Sequence, residues 1–152
     1  MDPVIISIIA IIISIIVAFL ELVRDFKINK VNLESEYFKD IYKEHLIYKI
    51  PKARGYIKFD INDKMVGTDK LIDELQLLRQ DSLYFQYNNH TFYRELKERT
   101  QKLEDFLVGK AETKFICEDQ TQAYKEIQTE LNGIYKLISD GYLGKKRYRK
   151  QK

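Results

Sequence analysis

The chain has no tryptophan and only one cysteine, Cys117, among its 152 residues. A single cysteine excludes a disulfide framework within the chain and a metal centre built from several thiolates, and it suits a reducing compartment. Enzyme signatures are missing as well. There is no Gly-rich phosphate loop, no G-x-S-x-G and no H-E-x-x-H. The two histidines, His45 and His90, stand far apart, with no cysteine or carboxylate at ligand spacing. His45 falls on an apolar helix face, where a packed core histidine is the plainer reading. We therefore expect no enzyme, no catalytic residue, no metal and no cofactor. There is neither an internal repeat nor a long linker.

Charge, glycine and proline are also absent from one long stretch, "VIISIIAIIISIIVAFL", Val4 to Leu20. A buried core helix is rarely apolar on every side over such a length. A secretory signal wants a basic start and a small-x-small cleavage site; "MDP" has no Lys or Arg, and "VAFLELVRDF" offers no such site. A transmembrane helix needs about 20 mostly apolar residues, which Val4 to Val23 supplies with Glu21 as an interruption near its end. The flanks set an expected orientation. Only Asp2 precedes the run, whereas Arg24, Lys27 and Lys30 follow it, and basic flanks stay cytoplasmic. The expectation is a plasma (inner) membrane protein with its N-terminus outside and its remainder in the cytoplasm. In that reading residues 1–27 form the span and a juxtamembrane turn, 28–143 a cytoplasmic domain, and 144–152 a basic tail. Residues 28–32 are alternatively a continuation of the membrane helix. The net charge of +3 is a property of that tail. Its last eight residues, "KKRYRKQK", carry six positive charges, which leaves the rest of the chain acidic.

Two serines interrupt the apolar run. On a helix at 100° per residue, Ser7, Ala10, Ser14, Ala18, Glu21 and Asp25 fall within one arc of about 80°. Small stripes let membrane helices approach closely, and serine can hydrogen-bond across the contact. Ionisable residues at membrane depth face a bundle interior or a water-filled cavity. These six residues are thus the expected self-association face, in a ring of three to five copies, with Glu21 and Asp25 as acidic rings that would favour cations. The plainer alternative is that Ser and Ala are simply common in spans and that Glu21 sits at the interface.

The remainder reads as mainly α: a bundle of about four helices with a small β-hairpin inserted after the first. "NLESEYFKDIYKEHLIYKI" starts at Asn32 as N-cap, buries Tyr37 or Phe38, Ile41, His45 and Tyr48, and ends at Pro51. "GYIKFDINDKMVG" reads as a hairpin, Tyr56–Asp60 and Lys64–Val66, around an Asn-Asp turn. Thr68 caps a helix through Tyr87 whose inner face is Leu71, Leu75, Leu78 and Phe85 or Ser82. "NNH" makes a turn. The next helix buries Phe92, Leu96, Leu103 and Leu107 and stops at Gly109. The last, about Glu118 to Asp140, buries Ala123, Ile127, Leu131, Ile134 and Ile138, and Gly141 and Gly144 release the tail. Cys117 reads as a small hydrophobe near a helix start.

Two surfaces suggest ligands. "SLYFQYNNHTFY" has five aromatic residues in twelve. Phe85 and Phe92 belong to the inner faces, which leaves Tyr84, Tyr87, Asn89, His90 and Tyr93 as candidate contacts for stacking bases and reading their edges. Packing at the end of a helical hairpin is the plainer explanation. In the tail, Lys145, Lys146, Arg147, Tyr148, Arg149 and Lys150 suit phosphates or anionic lipid, against the plainer reading of a solvated terminus.

The layout of "VIISIIAIIISIIVAFL", a helical domain and a basic tail is similar to that of small membrane effectors of bacterial anti-phage defence systems, such as the membrane effector of Hailong-type systems. The resemblance is one of layout over the whole chain and carries no individual functional residues across. It implies a channel-forming or membrane-perturbing homo-oligomer, a tetramer or similar, controlled by a nucleotide or oligonucleotide signal through the cytoplasmic domain, with a partner protein encoded alongside. The Lys- and Ile-rich, Trp-free composition is compatible with an AT-rich bacterial genome. The competing expectation is a membrane-anchored adaptor that holds a protein or nucleic acid at the cytoplasmic face.

Overall fold

In the computed structural model, residues 3–111 and 113–143 are described; Val4 and Ile6 are described in backbone only. The structure is mostly helical, 85%, with a long apolar N-terminal helix and a small antiparallel sheet. It divides into two compact units, residues 1–37 and 38–152.

The first unit is helical throughout. Helix α1 spans Pro3–Ile41, and its last turn, with Phe38 and Ile41, already belongs to the core of the second unit. Asn32, expected as the cap of a new helix, lies inside α1 instead. No glycine or proline occurs between Val4 and Ile50, and asparagine by itself only lowers helix propensity by a few tenths of a kcal/mol. At 1.5 Å per residue the 39 residues of α1 extend about 58 Å, roughly twice the hydrocarbon thickness of a bilayer. Bulky side chains from Ile5 to Leu33 are exposed around the whole circumference. Helix α1 is thus long and apolar enough to cross a membrane.

The second unit starts with a change of winding. Tyr42–Lys49 is a π-helical segment, followed by α2, Ile50–Arg54. The expected stop at Pro51 is displaced to Gly55, because the wider π-turn accommodates the proline. The Ile50 N–H reaches back five residues to the His45 carbonyl. The next bond of that ladder would run from residue 51 to Leu46, and proline has no N–H to donate. The Tyr135 hydroxyl replaces it, donating to the Leu46 carbonyl at 2.6 Å. Of the expected inner face, Phe38, Ile41 and His45 are buried, while Tyr37 and Tyr48 are exposed. The π-turn shifts the register, so that Leu46 and Ile50 continue the buried face in place of Tyr48.

Strands β1, Lys58–Phe59, and β2, Met65–Val66, pair antiparallel as Lys58↔Val66 and Phe59↔Met65. They are shorter than the alternation suggests, because the turn consumes Asp60 to Lys64. The Asp60 carboxylate accepts from the N–H groups of Asn62 and Lys64 at 2.9 and 2.8 Å, and Asp63 takes a positive φ of 61°. Those donors, the Lys64 N–H foremost, hold the Asp60 carboxyl below its ordinary range. Lys64 also bridges to Lys114, and the Phe115 N–H donates to the Asp63 carbonyl, so residues 113–115 run along the free edge of β2.

Three longer helices complete the core: α3, Thr68–Asp81; α5, His90–Lys110; and α6, Cys117–Tyr142. The N-cap of α3 is Gly67, not Thr68. Its φ is +78°, and a Cβ there would lie 2.2 Å from the Tyr56 carbonyl oxygen, so only glycine fits. The helix expected to continue to Tyr87 breaks at Ser82, and Leu83–Asn88 forms a short α4. Asn88 is thus helical, while Asn89 is the N-cap of α5, its side chain accepting from the Phe92 N–H. Helix α5 runs one residue past Gly109. Gly141 lies inside α6, where a Cβ would come within 2.5 Å of the Phe38 ring; it is a close-packing position and not a release point. Pairs Arg79–Glu104 at 2.6 Å and Lys102–Glu130 at 2.6 Å tie α3 to α5 and α5 to α6. Leu71, Leu75, Leu78, Phe85, Phe92, Leu96, Leu103, Leu107, Ala123, Ile127, Leu131, Ile134 and Ile138 are all buried, as the helical periodicity predicts.

Candidate functional site

The stripe on α1 is fully exposed at Ser7, Ala10, Ser14, Ala18, Glu21 and Asp25. Both serine hydroxyls fold back on their own helix. Ser7 donates to the Pro3 carbonyl and Ser14 to the Ala10 carbonyl, each at 2.9 Å. An i−4 bond of this kind satisfies the hydroxyl donor within one helix, and the hydroxyl oxygen still presents acceptor capacity outward.

The aromatic segment divides between core and surface. Phe85 and Phe92 pack with Phe38, with ring centroids 4.3, 4.8 and 4.9 Å apart. Tyr84 and Tyr93 are half-buried against this core, and the Asn89 side chain is engaged in capping. Of the five candidate base contacts, Tyr87, 84% exposed, and His90 remain fully at the surface. Tyr93 lines a shallow depression of about 230 Å³ with Arg79, Gln80 and Lys97. The expected contacts Lys145, Lys146, Arg147, Tyr148, Arg149 and Lys150 lie outside the described residues. Cys117 is exposed at the first position of α6, so it is no core hydrophobe, whereas Phe115 and Ala123 nearby in the chain are buried.

The most organised polar constellation was not legible from spacing. His45 is 1% exposed. Its Nδ1 lies 2.6 Å from Glu74 Oε1 and its Nε2 2.9 Å from Asp81 Oδ2. The π-segment brings the imidazole to α3, and α3 presents Glu74 and Asp81 two turns apart. Glu44 stands beside them: one ligand atom from each of Glu44, His45 and Asp81 lies within 4.8 Å of the others. Sequence spacing offered His45 no carboxylate ligand; tertiary packing supplies what local spacing does not. Glu74 had a readable signal. It sits between Leu71, Leu75 and Leu78 on the inner face of α3 and is itself buried, so it requires a partner. Lys49 closes the rim at 2.6 Å from Glu44 Oε1. The hydrogen bond and charge of Lys49 hold the Glu44 carboxyl below its ordinary range, and the same bond holds the Lys49 ammonium above its own.

Among the described residues a second concavity, of about 270 Å³, lies where α2 meets α6, lined by Pro51, Arg54, Gln128, Asn132 and Tyr135. Burial raises the Tyr135 phenol above its ordinary value. No protein-family model, curated protein or solved structure matches the chain.

Proposed function

We propose that the chain is a single-pass membrane protein that self-associates through the Ser7–Ala10–Ser14–Ala18 stripe and acts as a channel-forming or membrane-perturbing effector controlled by its helical domain. The N-terminus lies outside and the domain in the cytoplasm. The observation that carries this reading is the exposed circumference of α1. From Ile5 to Leu33 its Ile, Leu, Val and Phe side chains are exposed among the described residues, at about 1.5–3 kcal/mol for each such side chain left in water. Lipid covers most of that surface. One narrow face is small and acidic, and this is where copies of the helix approach. Glu21 and Asp25 would then ring the cytoplasmic mouth. The similarity of layout to anti-phage membrane effectors supports a control step in the domain, through a nucleotide or oligonucleotide met by Tyr87, His90 and the basic tail.

One observation favours a second reading. Because Ser7 and Ser14 satisfy their hydroxyls within α1, a lone helix is stable in lipid, and the chain then serves as an anchored adaptor for a protein or nucleic acid.

Native mass spectrometry of the full chain released from detergent micelles separates the two. A discrete tetramer or pentamer, lost on Ser14→Leu, supports the effector. A monomer, or an oligomer indifferent to Ser14→Leu and Glu21→Lys, supports the anchor.

A further inference from the structure

The geometry around His45 points to a binding site for a divalent transition-metal ion of the zinc class, with His45 Nε2, Asp81 and Glu44 as ligands. It does not depend on what the span does. Three features argue for it. First, the buried Glu74 carboxylate sits 2.6 Å behind Nδ1. A carboxylate in that position fixes the Nδ1–H tautomer and leaves the Nε2 lone pair for a metal, the arrangement that supports metal-bound histidines generally.

Second, the spacing suits an ion. Two donors each ~2.0–2.1 Å from zinc lie about 2.9–3.3 Å apart for angles between 90° and tetrahedral. Nε2 and Asp81 Oδ2 are 2.9 Å apart. Glu44 completes a three-ligand set within 4.8 Å, and its exposed side chain can turn inward once it leaves Lys49. An imidazole with two carboxylates favours zinc, cobalt, nickel or manganese over the all-oxygen shells of calcium and magnesium.

Third, a cation already stands at the rim. The Lys49 ammonium pairs with Glu44 and also feels the charges of Glu74 and Asp81. Without a metal, both ring nitrogens face carboxylate oxygens. On binding, the ion takes the place of the direct contact between Nε2 and Asp81, and Glu44 exchanges Lys49 for the metal. The ion would staple the π-segment to the C-terminal end of α3.

The test is Co²⁺ uptake by the tag-free full chain in detergent micelles, followed by its ligand-field absorption and by Zn²⁺ competition against a chromophoric chelator. One equivalent should bind. Asp81→Asn and Glu44→Gln alter exposed side chains, and helicity by circular dichroism checks that they fold; each should weaken binding about tenfold or more. Lys49→Met frees Glu44 and should tighten binding several-fold, whereas His90→Asn should leave it unchanged. Absence of saturable one-to-one uptake overturns the site. So does uptake that Asp81→Asn, Glu44→Gln and Lys49→Met all leave alone.

Discussion

Replacing Tyr135 by phenylalanine tests the account of the π-segment. The Leu46 carbonyl has no backbone donor from residue 51, because residue 51 is proline, and the Tyr135 hydroxyl supplies the bond at 2.6 Å. Leu46 is 2% exposed, and a buried acceptor left without a partner costs about 1–3 kcal/mol. The concavity beside Pro51 and Tyr135, about 270 Å³, has room for water, which favours the lower half of that range. A loss of roughly 1–2 kcal/mol, about 5–30-fold in the folding equilibrium, is therefore expected. Hydrogen exchange of the Ile50 amide in micelles reads it, since that N–H closes the last π-turn on the His45 carbonyl. The decisive comparison is a double-mutant cycle with Pro51→Ala. Alanine restores an N–H at the position from which the π-ladder reaches Leu46, so Tyr135→Phe should cost distinctly less in that background. An equal cost in both backgrounds would refute the reasoning. A pH arm follows from burial raising the Tyr135 phenol above 10.0. A raised value means the folded state holds this proton more tightly. Its contribution is complete below the ordinary phenol value and is lost as pH rises through the folded one, and Tyr135→Phe should remove that part of the alkaline destabilisation.

Four further outcomes are expected. Gly67→Ala should destabilise by more than about 1 kcal/mol through its positive φ and the Tyr56 carbonyl 2.2 Å from the new Cβ. Gly109→Ala, where a Cβ meets nothing within 4 Å among the described residues, should instead stabilise by about 0.5–1 kcal/mol; equal effects in urea titrations would contradict that contrast. Among the described residues Ser82 Oγ is buried without a hydrogen-bond partner, so Ser82→Ala should be neutral or stabilising by up to about 1 kcal/mol, and a loss of stability would reveal a partner for that hydroxyl. The Asp60 carboxyl, held low mainly by the Lys64 N–H, contributes to the hairpin above the ordinary aspartate value and loses that contribution as pH falls through its depressed one. NMR shifts of Asn62 and Lys64 amides should titrate there, and Asp60→Asn should abolish the titration.

Helical periodicity located the cores of α3, α5 and α6 because each helix buries one mainly apolar stripe, from Leu71 to Leu78, Phe92 to Leu107 and Ala123 to Ile138. The positions that escaped it are those where partner chemistry outweighs local preference. Asn32 reads as a cap, but the residues around it offer no alternative to continuing α1. Pro51 reads as a stop, and its missing N–H is compensated from Tyr135, 84 positions later in the chain. Tyr48 falls on the expected face only if the winding stays at 3.6 residues per turn, and the π-segment removes that condition.

The candidate metal site shows the same limit more sharply. Nearest-neighbour spacing around His45 offers Glu44 alone, which by itself reads as a solvated charge. The informative residue was Glu74, a carboxylate on the apolar face of a different helix. A buried histidine and a buried carboxylate each need a partner, and here they find one another across the core. Pairing two polar interruptions on apolar faces is therefore the sequence-level signal, and it identifies the inner half of the site. The outer half, Asp81 and Glu44 with Lys49 at the rim, follows only after the π-segment sets the imidazole's direction. Glu74→Gln separates the two halves. It keeps the shape and a hydrogen-bond acceptor behind Nδ1 but removes the charge, so it should retain one-to-one Co²⁺ binding at an affinity lowered about 10–100-fold, whereas Asp81→Asn removes a ligand and should change the ligand-field spectrum itself.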